Sequence, residues 1–169
     1  MSGPFLPPEP VEGPRALGRR SYVAQIARLQ DWPESIDAPE PHFVLFVAAN
    51  AEGIADAEID EFARKLIGQG ASYLVAWGPD AERVHHRFDV ADIDAGRGPE
   101  EWIMTEHWAD ESLDEALWNA LFGASPGERY ESSTDSLLAI AVGNEEWSAT
   151  LRRRLADPDQ LNDDVVENE

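Results

Sequence analysis

The chain has 169 residues, no cysteine, and 34 acidic against 13 basic side chains, for a formal net charge of −21. That length suits one domain with a sizeable core, and the missing cysteines exclude disulfides, thiolate metal sites and a cysteine nucleophile. Direct nucleic-acid binding is disfavoured, because neutralising phosphates needs a basic stripe and none is present.

Residues 1–14 hold five prolines (Pro4, Pro7, Pro8, Pro10 and Pro14) and read as an extended arm. The opening MSGPFLPPEPVEG lacks the charged start and apolar centre of a secretory signal. No apolar run approaches the roughly 20 residues that span a bilayer. A cytoplasmic location is therefore expected. Residues 15–31 carry Arg15, Arg19, Arg20 and Arg28 against one acid, Asp31. The spacing of Tyr22, Val23, Ile26 and Leu29 there predicts a short basic helix, ended by Trp32-Pro33.

Phe43 to Trp77 is the core unit. Phe43-Val44-Leu45-Phe46-Val47 is an unbroken apolar run, as a strand covered on both faces must be. From Asp56 the period changes, and Ile59, Phe62, Ala63, Leu66 and Ile67 recur on one helical face. Asp56 is the expected N-cap, and Gly68 or Gly70 the stop. Tyr73-Leu74-Val75-Ala76-Trp77 is the second buried strand. Two buried strands joined by a helix form a right-handed crossover with parallel strands.

Asp80 opens a second helix through Phe88 or slightly beyond, and Trp102-Ile103-Met104-Thr105 reads as a third strand, at an edge. Ser112 and Glu115 match a capping box before an apolar helical face of Leu113, Ala116, Leu117, Ala120 and Leu121. Leu137 to Val142 is a fourth, buried strand. Asn144 caps a last helix with Trp147, Leu151 and Leu155 inward, ending before Pro158. The tail from Asp157 carries six acids and no base, which predicts solvated disorder over residues 158–169 and leaves −15 on the rest of the chain. The predicted fold is α/β: a single three-layer domain over residues 41–157, Rossmann-like or flavodoxin-like, with about four mainly parallel strands.

In an open α/β sheet, ligands sit beyond the carboxyl ends of the strands. That rule collects Asn50 and Glu52, then Trp77, Gly78 and Asp80, then Glu106, His107, Trp108 and Asp110, and finally Asn144 and Glu145. Trp77, Asp80, Glu106, His107, Trp108 and Asn144 are the ligand- or partner-binding candidates, and His107 and Asp80 the catalytic ones. His107 stands between Glu106 and Asp110, where a carboxylate can orient and charge it. No G-x-S-x-G elbow supplies a nucleophile, and Ser112 is occupied as a cap. The loop AANAEGIAD has a single glycine and matches neither phosphate-binding glycine motif, so no nucleotide cofactor is expected. His85, His86 and Asp89 fall with Glu82 and Asp92 within about a third of a helical circumference, which suggests a metal site. The commoner account of that pattern is the solvated side of an amphipathic helix, and a third ligand such as His107 would be required.

Ala76-Trp77-Gly78 followed by Asp80 and Glu82, Thr105-Glu106-His107-Trp108, and Glu111 through Trp118 together resemble a family of small bacterial α/β proteins known only as a domain of unknown function. The resemblance covers about Phe43 to Phe122. It implies the fold and a bacterial source, and no activity.

The charge, the missing catalytic motifs and the single domain lead to a non-enzymatic protein-binding module, an adaptor, inhibitor or immunity-type partner. Its acidic, tryptophan-bearing face would meet a basic protein. The rival expectation is a small enzyme or ligand sensor centred on His107, Asp80 and Trp77. A stand-alone mimic of DNA ranks last, because nothing spaces the carboxylates like phosphates.

Overall fold

The computed structural model describes residues 5–167. Six strands form one sheet: β1 (Leu6–Pro10), β2 (Arg20–Ile26), β3 (His42–Ala48), β4 (Ala71–Trp77), β5 (Met104–Trp108) and β6 (Thr134–Val142). Their spatial order is β1-β2-β6-β3-β4-β5. β1 runs antiparallel to β2, and every other pairing is parallel. The described residues also form six helices: α1 (Asp56–Gln69), α2 (Ala81–Asp94), α3 (Leu113–Trp118), α4 (Glu128–Glu131), α5 (Glu145–Ala156) and α6 (Pro158–Glu167).

Alternation along the strands sends side chains to two separate cores. Phe43, Leu45 and Val47 of β3 join Ile59, Phe62 and Leu66 of α1 and Val84 and Phe88 of α2 in one cluster. Val44, Phe46 and Ala48 join Leu117, Leu151 and Leu155, from α3 and α5, in the other. β3 and β6 lie side by side, with Leu45 opposite Leu138. The helix that follows β3 packs in the first cluster and the helix that follows β6 in the second, so their connections leave to opposite sides. Such a divergence opens a crevice beyond the strand ends. Gly78 makes the neighbouring turn possible. Its φ is 119°, and a Cβ there would collide with the Ala49 carbonyl.

Several sequence expectations are corrected. The four expected strands are six. The basic stretch predicted as a helix is β2, paired along its length with β6 from Arg20–Ser136 to Ile26–Val142. Its true period is two: Tyr22, Ala24 and Ile26 pack in the first cluster and Val23 in the second. The helical spacing was a coincidence of a strand buried on both faces. Part of the proline arm is β1, an edge strand in which a proline costs no ladder bond when its nitrogen faces outward.

The expected disordered tail is instead α6, anchored by buried Leu161 and Val165. Residues 1–4 of the arm and 168–169 of the tail lie outside the described residues. α1 also begins with Ala55 rather than Asp56 at its N-cap, and Gly70, in the left-handed region, ends it.

Candidate functional site

The crevice between β3 and β6 is a cavity of about 520 Å³ whose lining includes Arg28, Gln30, Asn50, Glu58, Asn144 and Trp147. Asn144 is the N-cap of α5, its Oδ1 accepting the Trp147 backbone N–H at 3.1 Å. Asn50 Oδ1 accepts the Glu52 N–H at 3.0 Å across the loop after β3. Both amide oxygens thus serve the backbone, and each keeps an NH₂ group for another acceptor. Trp147 meets Trp77 edge to face, with centroids 5.1 Å apart.

Trp77 and Trp147 belong to a larger surface. Trp77, Trp108, Trp118 and Trp147 are all half-buried and all pack on the second core cluster. Three of the indoles are pinned by their nitrogens. Trp77 Nε1 donates to the Glu111 carbonyl at 2.9 Å, Trp108 Nε1 to Glu106 Oε1 at 3.1 Å, and Trp118 Nε1 to Asn162 Oδ1 at 2.8 Å. Trp108 and Trp118 line a second cavity, of about 470 Å³, with Ser112, Asp114, Glu115 and Arg154. Arg154 is held there by a fork onto Asp114, at 3.2 and 2.7 Å, and by Asp164 at 2.7 Å. Asp110, Glu111, Glu115, Glu145 and Glu146 stand exposed around the indoles.

Glu106 is committed within this surface. Besides Trp108 it accepts the Tyr73 hydroxyl and the Asn119 amide. Burial, with the Glu106 carboxylate beside it, pushes the Tyr73 hydroxyl well above the usual tyrosine range. A carboxylate serving three donors is a structural hub, with little capacity left for a substrate.

His107 lies on the other face of β5, because neighbours along a strand alternate. Its Nδ1 is 2.8 Å from His85 Nδ1, and His85 Nε2 is 3.1 Å from Asp89 Oδ2. Thr105 Oγ1 donates to the other Asp89 oxygen at 2.6 Å. β5 is thereby tied to α2 through a Thr105–Asp89–His85–His107 chain. His86 is exposed and takes no part in that chain. Among the described residues no group of three histidine or carboxylate side chains is arranged to hold a metal ion. Asp80, at the N-cap of α2 with φ 62°, pairs with Arg83 Nε at 2.8 Å. Arg83 also holds Asp56 and the Ala51 and Ile54 carbonyls, so Asp80 fastens the loop between β3 and α1.

The structure therefore divides the predicted edge. Trp77, Trp108 and Asn144 share the tryptophan-bearing side, with Glu106 beneath them. His107 belongs to the α2 side, and Asp80 to the loop clamp. Tyr73, Asn119 and Trp118 were missed. Trp118 had a legible signal, since it follows the apolar positions of α3 within the stretch from Glu111 to Trp118.

A family model described as Domain of unknown function (DUF7684) matches residues 22–158. The chain belongs to that family. The DUF7684 unit is thus wider than the stretch from Phe43 to Phe122. It takes in the last five of the seven residues of β2 and the whole of α5, while β1 and all but the first residue of α6 lie outside it. All six ligand- or partner-binding candidates fall inside. No curated protein matches the chain.

Proposed function

We propose that this DUF7684 protein is a cytoplasmic, non-enzymatic protein-binding module that meets a basic partner through its acidic, tryptophan-bearing face. The scaffold reads as a three-layer, Rossmann-like sandwich whose second helical layer carries that face. One observation carries the proposal: Trp77, Trp108, Trp118 and Trp147 are half-buried on one side of the sheet, with exposed carboxylates around them. Half-buried indoles suit recognition, since they offer large rigid area at low entropic cost and anchor most interfaces in which they occur. The carboxylates would speed encounter with a cationic surface and reject acidic ones. The charge of −21 supports the same partner class.

The test is native mass spectrometry after gentle, low-salt purification. A basic protein should co-purify, leave on raising the salt, and be lost with Trp108→Ala or Trp118→Ala in a folded variant. No association at low salt, or one indifferent to both substitutions, would remove the reading.

A second reading, a small enzyme or ligand sensor, draws on the Asp89–His85–His107 chain, in which a carboxylate orients one imidazole against another. It requires a small-molecule adduct or an activity that disappears in His107→Ala while folding is retained.

A further inference from the structure

β5 is the last strand of the sheet and pairs with β4 alone. Which of its backbone groups face outward follows from one bond. The Trp108 carbonyl accepts from the Gly78 N–H at 3.4 Å, so it turns toward β4. Along a strand the backbone direction alternates, so Glu106 and Met104 also turn toward β4 while Thr105 and His107 turn away. Ile103, one residue before the strand, turns away as well, and Asp92 Oδ2 accepts its N–H at 2.7 Å. The amino end of the edge is therefore sealed from inside. Thr105 and His107 leave two N–H and two C=O groups pointing off the sheet.

Exposed apolar side chains flank this open edge on both faces of the sheet. Ile93, Trp102 and Met104 are 56%, 40% and 51% exposed, three of the six exposed large hydrophobic residues among those described. The flanking charge is one-sided. Residues 99–112 contain Glu100, Glu101, Glu106, Asp110 and Glu111, and no lysine or arginine.

Open edges in natural proteins are usually guarded by lysine, proline or a bulge. The guard here is negative charge, which discriminates between occupants. Self-pairing would bring two chains of −21 together. An antiparallel register matching Thr105 with His107 would also set the two Glu106 residues opposite each other, and like charges directly opposite are destabilising. A cationic strand meets the reverse situation.

We infer that the outer edge of β5 accepts an extended, lysine- or arginine-bearing segment of another protein as a seventh strand. Its apolar side chains pack toward Met104 and Trp108, and its cations lie near the carboxylates of residues 99–112. Main-chain bonds to Thr105 and His107 supply register, and side chains supply selectivity. This rests on the reading of the acidic face as a protein-binding surface, and it names the form in which the partner arrives.

The probe is an acetylated, amidated heptapeptide, Lys-Val-Lys-Val-Thr-Val-Lys, titrated at low salt into the ¹⁵N-labelled full chain. The Thr105 and His107 amides should shift and gain protection from hydrogen exchange. Binding should weaken roughly tenfold or more in His107→Pro, which removes an outward N–H while leaving the β4 ladder intact. Because that variant can perturb the His85 contact, peptides N-methylated at alternate residues provide an independent check. One of the two phases should lose binding by a similar factor.

A glutamate-for-lysine peptide that binds equally well would overturn the partner chemistry. A native dimer dispersed by His107→Pro would show a second copy at the edge and overturn the proposal. Salt-sensitive binding that moves the Trp108 and Trp118 indoles, yet leaves Thr105 and His107 unprotected, would sink strand addition and keep the acidic face. No binding by the lysine peptide at low salt would count against both.

Discussion

Asp92 Oδ2 accepts the Ile103 backbone N–H at 2.7 Å, and the same carboxylate, only 4% exposed, pairs with Arg97. One side chain near the end of α2 thus fixes both the entry into β5 and the guanidinium beneath it. Arg97 continues to the Tyr130 hydroxyl at 3.0 Å, so the contact reaches α4.

The consequence is a large penalty at a position that reads, in sequence, as one more acid on a solvated helix. Asp92→Ala leaves the Ile103 N–H without its acceptor and Arg97 with only the Tyr130 hydroxyl, and should cost about 3 kcal/mol. Asp92→Asn keeps one acceptor for Ile103 and should lose only about half as much. Urea denaturation of the two variants measures both numbers. An alanine variant within about 0.5 kcal/mol of the parent would mean the carboxylate is dispensable.

Tyr73 sets the alkaline limit. Burial first, then the bond to Glu106 and its charge, raise the hydroxyl's proton affinity in the folded chain. The unfolded chain releases that proton near pH 10, whereas the native chain holds it. The native state then binds more protons, so stability falls as pH rises beyond about 10. Tyr73→Phe should be less stable at pH 8, because Glu106 loses a donor, and should show a shallower decline from pH 10 to 11. Urea midpoints across that range decide it, and parallel slopes would refute the assignment.

His42 acts at the acid limit. Burial, with the Arg129 and Arg97 charges nearby, lowers its proton affinity below the usual histidine range. Its Nδ1 meets Ser133 Oγ at 2.7 Å, and its ring packs on Tyr130. Below about pH 6.5 the unfolded chain takes up a proton that the native chain resists. Stability contributed by the neutral ring is therefore present above that pH and lost as pH falls through the folded value. His42→Gln should flatten the stability profile as pH falls below about 6.5. Thermal midpoints of the two chains on either side of that pH make the comparison.

How far the sequence could be read depended on whether the apolar runs were unbroken. The run from Phe43 to Val47 and the run from Leu137 to Val142 are apolar throughout, and both are central strands. Asn144 and Ser112 carry cap chemistry in their side chains, and both cap as expected. β2 was hidden because Arg20, Ser21 and Gln25 interrupt its apolar positions, and pairing with β6 rather than composition makes it a strand. In the site, the rule of strand ends collected Trp108 and His107 together. They are adjacent residues of an edge strand, so they serve opposite faces. Tyr73 and Asn119 could not be found from spacing, since only the pairing of β4 with β5 and the turn after α3 bring them to Glu106.

The last element gives the clearest contest between composition and packing. Six acids without a base predicted a solvated tail, yet Leu161 and Val165, one helical turn apart, are 0% and 8% exposed. Asn162 holds the Trp118 indole at 2.8 Å, and Asp164 holds Arg154 at 2.7 Å. Truncation after Asp157 would remove both anchors and uncover the apolar floor beneath them. Burial of a leucine and a valine contributes about 1.5–3 kcal/mol each, so the truncated chain should lose at least about 3 kcal/mol. Leu161→Ala alone should cost about 2–5 kcal/mol through the cavity it leaves. Tryptophan emission should shift to the red as Trp118 meets water. If the acids were merely a solvated tail, removing them would relieve repulsion, and stability would hold or rise. Chemical denaturation of the truncated and full-length chains separates these outcomes, because they differ in sign.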